Sequence, residues 1–354
     1  MSRFFSKKYA GLVPYTPGEQ PKERKYIKLN TNESPFPPSE LAQEMAGVAA
    51  KRLMLYPDPD CKELTKTLAE LLDVSTDEIV WTNGSDDVLN FAFMAFCDDE
   101  HPAIFPDITY GFYSVFAEAN RIPYKTIPLN DDFTIALDEF QRNKGTAFIA
   151  NPNAPTGIAL TLDQIEELLC SDPDRVVVID EAYVDFGADS CIPLIKKYDN
   201  LLVTQTFSKS RSMAGARLGF AVGSKELIAD LHTIRYATNP YNINSMTMAA
   251  GIGVLRDEAY TRRNCLKIIE NRAYVSSELR KLGFDMTPSS ANFIFVKHSD
   301  ISGEALYSAL KEKGILVRYF NKPRISDYCR ITIGSREEMD ELLKQIQIVL
   351  EERV

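Results

Sequence analysis

An acidic pair follows an apolar run at residues 175–183, RVVVIDEAY. Asp180 and Glu181 come directly after four β-branched residues, and Tyr183 lies two positions further on. Many nucleotide hydrolases present a magnesium ligand in this way, at the carboxyl end of a buried strand. The P-loop hydrolases also need a GxxxxGKS or GxxxxGKT loop to hold the phosphates, and this chain contains no Gly-Lys pair. We therefore expect Asp180 to face something other than a nucleotide-bound metal, and we predict no metal site.

A second group of reactive side chains lies at residues 204–220, TQTFSKSRSMAGARLGF. Thr206, Ser208 and Lys209 follow an apolar run, and Arg217 comes after several small residues. Two hydroxyls and a guanidinium are suited to hold a phosphate, and a lysine amine can form a Schiff base with an aldehyde. Together with a carboxylate at a neighbouring strand end, this set indicates a pyridoxal phosphate site.

Backbone groups near Ser85 offer a further anion-binding feature. Residues 81–96, WTNGSDDVLNFAFMAF, predict a strand, an Asn-Gly-Ser turn and a helix. The first N–H groups of such a helix, those of Ser85, Asp86 and Asp87, point at one place, where an anion binds well. The same pattern also fits a plain helix cap by Ser85 or Asp86, and this stretch alone does not separate the two.

The composition excludes several classes of protein. The 354 residues are 45% apolar and 25% charged, and 40 Lys+Arg against 50 Asp+Glu give a net charge of −10 and a pI of about 5.0. Nucleic-acid binding needs a positive field, so this charge argues against it. No stretch has the apolar length of a secretory signal or a membrane-spanning helix, so we expect a cytoplasmic protein. The six cysteines and three histidines are not spaced for a disulfide framework or a zinc site.

Short apolar runs alternate with amphipathic stretches between about residues 60 and 225. Because the runs are continuously apolar, they predict strands covered on both faces, and therefore an α/β fold with a mostly parallel sheet flanked by helices. The runs are EIVW at 78–81, PAIF at 102–105, TAFIA at 146–150, RVVVID at 175–180, LLVTQTF at 201–207 and LGFAVG at 218–223. Such sheets bind ligands at the carboxyl ends of their strands, where the polar residues described above collect.

The pattern changes after about residue 255 to that of a smaller α+β unit. We expect a long helix ending at Gly283, then NFIFV, a helix ending at Gly314, ILVRYF, CRITIG, and a last helix that Ser335 opens with Glu338 in a capping box. The first 39 residues are too rich in proline and turn residues to form a domain. The sequence therefore predicts an N-terminal arm at 1–39, a large domain at 40–250 and a small C-terminal domain at 251–354.

Ten motifs in this order resemble those of the fold-type I pyridoxal phosphate-dependent aminotransferases, and within them the histidinol-phosphate branch. They are PYTPG, LNTNESPFPPS, YPDPD, TNGSDDVL, FPDITYGFY, NPNAPTG, DEAYVDF, TFSKSRSMAGARLGF, ANFIFV and YCRITIGSREE. The resemblance implies bound pyridoxal 5'-phosphate and transamination between L-histidinol phosphate and 2-oxoglutarate, which gives imidazole-acetol phosphate and L-glutamate in histidine biosynthesis. A threonine-phosphate decarboxylase, an aromatic or broad-specificity aminotransferase, and a binding protein without catalysis stay as alternatives.

The resemblance also implies roles for individual residues. Lys209 would bind the cofactor covalently and move a proton, Asp180 would keep its pyridine nitrogen protonated, and Tyr183 would hydrogen-bond its phenolic oxygen. Tyr110 would stack on the ring. The phosphate would be held by backbone N–H groups of Ser85 and Asp86, the hydroxyls of Thr206 and Ser208, and Arg217. Tyr56 resembles a tyrosine that this family contributes to the partner subunit's phosphate site, which implies a homodimer with shared active sites.

Substrate contacts follow from the same resemblance. Arg330 and Arg318 resemble arginines that receive the substrate's anionic groups, although a lone arginine on a strand is usually a solvated or paired charge. Tyr15 and Asn32 would line the substrate pocket. One position departs from the family pattern, because NPNAPTG carries alanine directly before Pro-Thr-Gly, where many aminotransferases have asparagine. Asn153 is the nearest substitute as a cofactor ligand, and it could instead only shape the turn.

Overall fold

The computed structural model describes residues 2–21 and 24–352. The strands are β1 (Ile27–Lys28), β2 (Ile79–Thr82), β3 (Ala103–Pro106), β4 (Tyr124–Ile127), β5 (Thr146–Ala150), β6 (Val177–Asp180), β7 (Leu201–Thr206), β8 (Gly219–Gly223), β9 (Phe284–Met286), β10 (Phe293–His298), β11 (Ile315–Leu316), β12 (Arg318–Tyr319) and β13 (Cys329–Thr332). The helices are α1 (Glu40–Ala50), α2 (Lys62–Leu72), α3 (Ser85–Phe96), α4 (Phe112–Asn120), α5 (Leu137–Arg142), α6 (Leu162–Ser171), α7 (Lys225–Thr238), α8 (Ser245–Arg256), α9 (Glu258–Lys281), α10 (Gly303–Glu312) and α11 (Arg336–Glu351).

Within the described residues, seven strands form one large sheet in the order β2-β8-β7-β6-β5-β3-β4. β8 runs antiparallel to β2 and β7, and the other neighbouring pairs are parallel. The predicted α/β fold with a mostly parallel sheet is therefore confirmed. The six predicted runs form six of these strands, and the sequence pattern missed β4 because three of its four residues are exposed at the edge of the sheet.

Both faces of this sheet are buried under helices, as the continuous apolar runs require. All residues of β5, β6, β7 and β8 are buried. On one face Phe148 of β5 stacks on Phe93 of α3 with ring centroids 4.0 Å apart. On the other face Ile149 and Ile179 lie in a separate cluster with Ile165 of α6. Because this core holds the strands, the residues that directly follow the strand ends are held at fixed positions.

The strand ends bring distant parts of the chain to one edge of the sheet. Asp180 at the end of β6 lies level with Ala150 on β5 and Thr204 on β7. β7 continues to Thr206, and the chain then turns through Ser208 and Lys209. Because β8 is antiparallel, the residue two positions before it, Arg217, lies at the same edge.

The C-terminal part forms a four-stranded antiparallel sheet in the order β12-β13-β10-β9, covered by α9, α10 and α11. Ser335 caps α11 and Glu338 completes the capping box, as predicted. The run ILVRYF forms two short strands with different partners, because β11 pairs in parallel with β1 of the N-terminal segment and β12 pairs with β13. The first half of this run therefore pairs with a chain segment that is far away in sequence.

The N-terminal segment lies against the C-terminal sheet and its helices. Besides the β1–β11 pair, Glu19 forms an ion pair with Lys311, and Arg24 donates to backbone carbonyls at the end of α10, that of Glu312 at 2.8 Å. The division into an arm at 1–39 and domains at 40–250 and 251–354 stays a prediction, and residues 1, 22, 23, 353 and 354 of these ranges lie outside the described residues. Within the described part of the chain, no helix is long and apolar enough to cross a lipid bilayer.

Candidate active site

Lys209 lies in the turn after β7, at the bottom of a cleft between the large sheet and the C-terminal part. Its Nζ donates to the Thr31 carbonyl at 3.0 Å and lies 5.7 Å from the centroid of the Tyr183 ring. Burial and the nearby Arg330 guanidinium lower the pKa of Lys209 to about 8, against the opposing effect of Glu33 and Asp86. A substantial share of this amine is therefore neutral near pH 8, as a nucleophile or base requires.

Asp180 is buried at the end of β6, and each carboxyl oxygen accepts one hydrogen bond. Oδ2 accepts from the Tyr113 hydroxyl at 3.2 Å, and Oδ1 accepts from the Ala182 N–H at 3.2 Å. Burial raises the pKa of Asp180 to about 7, and the bond from Tyr113 opposes this rise. A cationic group placed beside Asp180 would be strongly favoured, because it would stabilise the charged carboxylate in this buried position.

Sequence reasoning missed Tyr113 as a hydrogen-bond partner of Asp180. Its side chain lies on α4 and is fully buried, so the FPDITYGFY motif offers no sign that separates it from an ordinary core aromatic. The bond joins residues 67 positions apart. An aromatic residue with one polar atom needs a partner when it is buried, but the sequence does not say which.

Tyr183 and Asn32 contact each other beside the lysine. The Asn32 amide donates to the Tyr183 hydroxyl at 3.0 Å, and its carbonyl oxygen accepts from Thr332 Oγ1 at 3.0 Å. The Tyr183 ring also meets Phe293 edge-on at 5.1 Å between centroids. The ring is thus fixed in place with its centroid 5.7 Å from Lys209 Nζ, and burial raises the pKa of Tyr183.

Five of the predicted phosphate-binding residues converge at the start of α3. Ser85 and Asp86 are its first two residues, so no carbonyl inside the helix can accept from their backbone N–H groups. Thr206 Oγ1 donates to Ser208 Oγ at 3.0 Å, and Arg217 donates to the same Ser208 oxygen at 3.2 Å. N–H groups, hydroxyls and a guanidinium therefore surround one small space.

Two glycines make this close approach sterically possible. Gly84 has a φ of +85°, and a Cβ there would lie 2.5 Å from a guanidinium nitrogen of Arg217. A Cβ on Gly219 would collide with the backbone of Gly84 and Ser85. A side chain at either position would push the turn before α3 away from Arg217. The phosphate cradle, formed by Ser85, Asp86, Thr206, Ser208 and Arg217, therefore depends on both glycines.

Tyr110 lies on the loop between β3 and α4, over the same space. Its hydroxyl donates to Asp86 Oδ1 at 2.7 Å, and its ring meets Tyr113 edge-on at 5.7 Å between centroids. The structure therefore brings Tyr110 together with the phosphate cradle, and Tyr110 lines the same cavity.

A second cavity opens from Lys209 and Tyr183 towards the N-terminal segment. Arg318 and Arg330 face each other across β12 and β13 and both line this cavity. Tyr15 also lines it and stacks on Phe112 at 4.2 Å between centroids. The structure thus collects the predicted substrate residues Tyr15, Asn32, Arg318 and Arg330 around one opening beside the lysine.

The structure places Asn153 apart from the lining of both cavities beside Lys209, and its role as a cofactor ligand stays a prediction. Its amide nitrogen donates to the Ile108 carbonyl at 3.0 Å and to Thr156 Oγ1 at 3.2 Å, and its oxygen accepts from Thr109 at 2.8 Å. These bonds join the turn around Asn153 to the loop that follows β3. Within this motif, Ala154 lines both cavities and Pro155 lines the second.

Two further residues also lie apart from the cleft. Glu181 points into the core, where it accepts from Ser190, Gln205 and the Cys191 N–H, so it has a structural role. Tyr56 is 82% exposed and stacks on Tyr241 at 4.7 Å between centroids. Within one chain, Tyr56 contacts none of the predicted phosphate ligands.

The cavity that contains the phosphate cradle and Asp180, called the first cavity below, has polar groups that fit pyridoxal 5'-phosphate. One end offers the cradle that glycine at positions 84 and 219 keeps open, and the other end offers the buried Asp180 carboxyl, which has acceptor capacity left on both oxygens. Lys209 and Tyr183 lie between the two ends. The cavity is lined by Ser85, Asp86, Tyr110, Ala150, Ala154, Asp180, Ala182, Tyr183, Thr206, Ser208, Lys209 and Arg217.

Comparison with known proteins agrees with this geometry. Residues 24–346 match the aminotransferase class I and II family. The histidinol-phosphate aminotransferase of Brachyspira hyodysenteriae is 48% identical over 352 residues, which cover 99% of each chain.

Two solved structures share the fold. The histidinol-phosphate aminotransferase of Sinorhizobium meliloti in complex with pyridoxal-5'-phosphate matches with a TM-score of 0.85 at 24% identity, over 94% of this chain and 93% of that one. The L-threonine-O-3-phosphate decarboxylase of Porphyromonas gingivalis matches with a TM-score of 0.80 at 22% identity, over 92% and 99%. The backbone alone therefore does not separate transamination from decarboxylation.

Proposed function

The chain belongs to the class I and II aminotransferase family, whose cofactor is pyridoxal 5'-phosphate, and from this premise we propose that it transfers the amino group of L-histidinol phosphate to 2-oxoglutarate. The products are imidazole-acetol phosphate and L-glutamate, and the reaction belongs to histidine biosynthesis. The observation that carries the choice of substrate is the pair of arginines, Arg318 and Arg330, in the cavity beside Lys209.

The two arginines are suited to an anionic substrate because neither forms an ion pair within the described residues. Glu19, whose charge interacts with Arg318, pairs with Lys311 instead, and the buried Nε of Arg330 has no hydrogen-bond partner. Arg330 donates to the Asn30 carbonyl at 3.1 Å, and Arg318 makes long contacts of 3.3 to 3.4 Å to the carbonyls of Thr16 and Pro17. An unpaired half-buried cation is costly, and a substrate phosphate or carboxylate would offset that cost.

Each residue near the lysine has a defined task in this proposal. When bound, the cofactor supplies an electron sink that stabilises negative charge at the substrate's α-carbon. Lys209, partly neutral near pH 8, takes the proton from that carbon and donates it again to complete the transfer. Asp180, at the end of β6, would stabilise the positive charge of the protonated pyridine nitrogen. The Tyr183 hydroxyl, which Asn32 holds in place, would hydrogen-bond the cofactor's phenolic oxygen.

The opening of the second cavity is aromatic. Tyr15 and Phe112 stack there, and Tyr15 lies next to Gly111, where a Cβ would come within 3.3 Å of the tyrosine ring. A flat imidazole fits against such faces while its phosphate reaches the arginines. The N-terminal segment, which carries Tyr15, contacts Arg318 through its carbonyls, so it also helps to keep water out.

A panel of amino donors tests the proposal. With 2-oxoglutarate as acceptor, we expect L-histidinol phosphate to have the highest kcat/KM, because L-histidinol, phenylalanine and tyrosine cannot use both arginines. Arg318→Gln should lower kcat/KM for L-histidinol phosphate by about tenfold to a hundredfold, the effect of one charge-assisted hydrogen bond, and leave L-histidinol almost unchanged. Release of carbon dioxide from O-phosphothreonine, or a preference for aromatic donors, would replace this function with the corresponding alternative.

We also propose that the enzyme is a homodimer whose active sites are shared. A patch of exposed apolar and aromatic side chains surrounds Tyr56, which is itself 82% exposed. Its members are Val48, Leu53, Met54, Leu55, Tyr56 and Tyr241. Large exposed apolar patches usually mark an interface. A second copy of the chain would cover this patch and let Tyr56 reach the partner's phosphate cradle.

Mixed dimers test the shared site. A Lys209→Ala chain and a Tyr56→Ala chain should each form defective enzyme, but a mixture reassembled from unfolded chains should contain about one quarter intact sites, since random pairing places both native residues in one site of each heterodimer. We expect the activity of the mixture to exceed the sum of the two parents. A mixture of Lys209→Ala with wild type is the control, and a purely additive result or a monomer in sedimentation would exclude the shared site.

A further inference from the structure

We infer that the side chain of Asp86 is a positioning residue, which holds Tyr110 and Arg217 in place around the cofactor. This inference rests on the cofactor assigned above and adds a side-chain role to a residue so far assigned through its backbone N–H. Asp86 Oδ1 accepts from the Tyr110 hydroxyl at 2.7 Å, and Oδ2 pairs with a guanidinium nitrogen of Arg217 at 3.0 Å. Since the two bonds use different oxygens, both form at once.

Three separate segments meet at this carboxylate. Asp86 lies in the first turn of α3, Tyr110 lies on the loop before α4, and Arg217 follows a short 3-10 helix and precedes β8. The pair with Arg217 joins residues 131 positions apart. Arg217 also donates to Ser208 through its other terminal nitrogen, so its guanidinium is held from two sides. Without Asp86, one of these two fixed points is lost.

Asp86 makes the shortest hydrogen bond of the Arg217 guanidinium and, within the described residues, the only one of the Tyr110 hydroxyl. Arg217 is 42% exposed as a side chain and has a φ of +55°, an unusual backbone conformation for a non-glycine residue. The other hydrogen bonds of its guanidinium are longer, to Ser208 at 3.2 Å and to the Ala214 carbonyl at 3.5 Å. A charge-assisted bond in this half-buried position therefore fixes the orientation of both polar ends.

Simple electrostatics predicts the opposite role for this carboxylate. A negative charge in the first turn next to a phosphate site should repel a dianionic phosphate, so its removal should strengthen cofactor binding. A positioning role predicts weaker binding after its removal, because Arg217 and Tyr110 lose their fixed orientation. The two explanations differ in the sign of one measured quantity.

The decisive measurement is the dissociation constant of pyridoxal 5'-phosphate for cofactor-free protein, followed by quenching of Trp81 fluorescence. We expect Asp86→Asn to raise this constant by about tenfold to a hundredfold, as for the loss of a charge-assisted hydrogen bond, and to reduce the visible circular dichroism of the bound cofactor. Asp77→Asn removes a carboxylate that pairs with Lys225 on the surface and is the control; it should leave both quantities within about twofold, since exposed ion pairs contribute little. An unchanged or lower constant for Asp86→Asn overturns the inference.

A second variant keeps the inference testable if Asp86→Asn folds poorly. Tyr110→Phe removes only the hydroxyl that donates to Asp86 and should also weaken binding and alter the dichroism. In the double variant the two losses should not add, because they break the same arrangement. Full additivity would contradict the coupling. If wild-type protein itself bound no cofactor, the proposed function would fall, whereas wild-type binding with an unaffected Asp86→Asn variant removes this inference alone.

Discussion

Replacing Lys209 by alanine is expected to abolish the visible absorbance that a covalently held pyridoxal 5'-phosphate gives, and to lower kcat by at least about a thousandfold, the scale of a lost general base. The physical reason is the position of the amine. Its Nζ lies in the cleft between both cavities, and burial together with Arg330 lowers its pKa to about 8. Within the described residues, no other lysine lines both cavities.

The absorbance spectrum and a single-turnover assay with L-histidinol phosphate measure these effects. Lys225→Ala is a suitable control, because its Nζ forms a surface ion pair with Asp77 at 2.9 Å and should leave both readouts unchanged. Transamination by Lys209→Ala at a rate near that of wild type would rule out the assigned role.

The second large effect is expected for Asp180→Asn, with kcat lower by about a hundredfold to a thousandfold, as when a preorganised electrostatic group is removed. A neutral amide cannot keep a proton on a pyridine nitrogen, so the electron sink becomes much weaker. The packing should change little, because asparagine has the same shape and can still accept from Tyr113. Glu181→Gln is the matched control, since it alters the neighbouring buried carboxylate and should affect stability without changing the cofactor's spectrum.

Asp180→Asn should also change how the stability of the folded protein depends on pH. The pKa of Asp180 is raised from 3.8 to about 7 in the folded cofactor-free protein, so between these values the folded state binds a proton that the unfolded state has lost. Stability should therefore fall as the pH rises from 5 to 7, by at most about 1.4 kcal/mol per pH unit from this group. Calorimetry of cofactor-free protein should show a steeper fall in wild type than in Asp180→Asn, which keeps other buried carboxyls with a raised pKa, such as Glu181.

Bound cofactor should remove that trend. A protonated pyridine nitrogen beside Asp180 favours the carboxylate, so the pKa of Asp180 falls and the loss of stability near neutral pH should disappear on reconstitution. An identical pH slope for wild type and Asp180→Asn would mean that another buried group is responsible.

The large sheet could be predicted from local pattern because burial on both faces leaves a direct record in the sequence. Strands such as β5 and β7 consist of continuous apolar runs, and their ends are marked by the polar residues that follow. β4 left no such record, since three of its four residues are exposed, whereas β2 at the other edge is fully buried. The run ILVRYF did predict strand structure, but the pairing partners of its two halves are segments far away in sequence.

The sequence by itself determined the types of group at the site, including the amine of Lys209, the carboxyl of Asp180 and the anion-binding turn before α3. Only the tertiary structure decided how these groups are held. The bond from Tyr113 to Asp180, the pair of Asp86 with Arg217, and the bond of Asn153 to the Ile108 carbonyl all depend on which loops meet. A residue's type and its periodic neighbours encode burial and secondary structure, whereas hydrogen-bond partners are set by contacts between segments that the chain brings together only on folding.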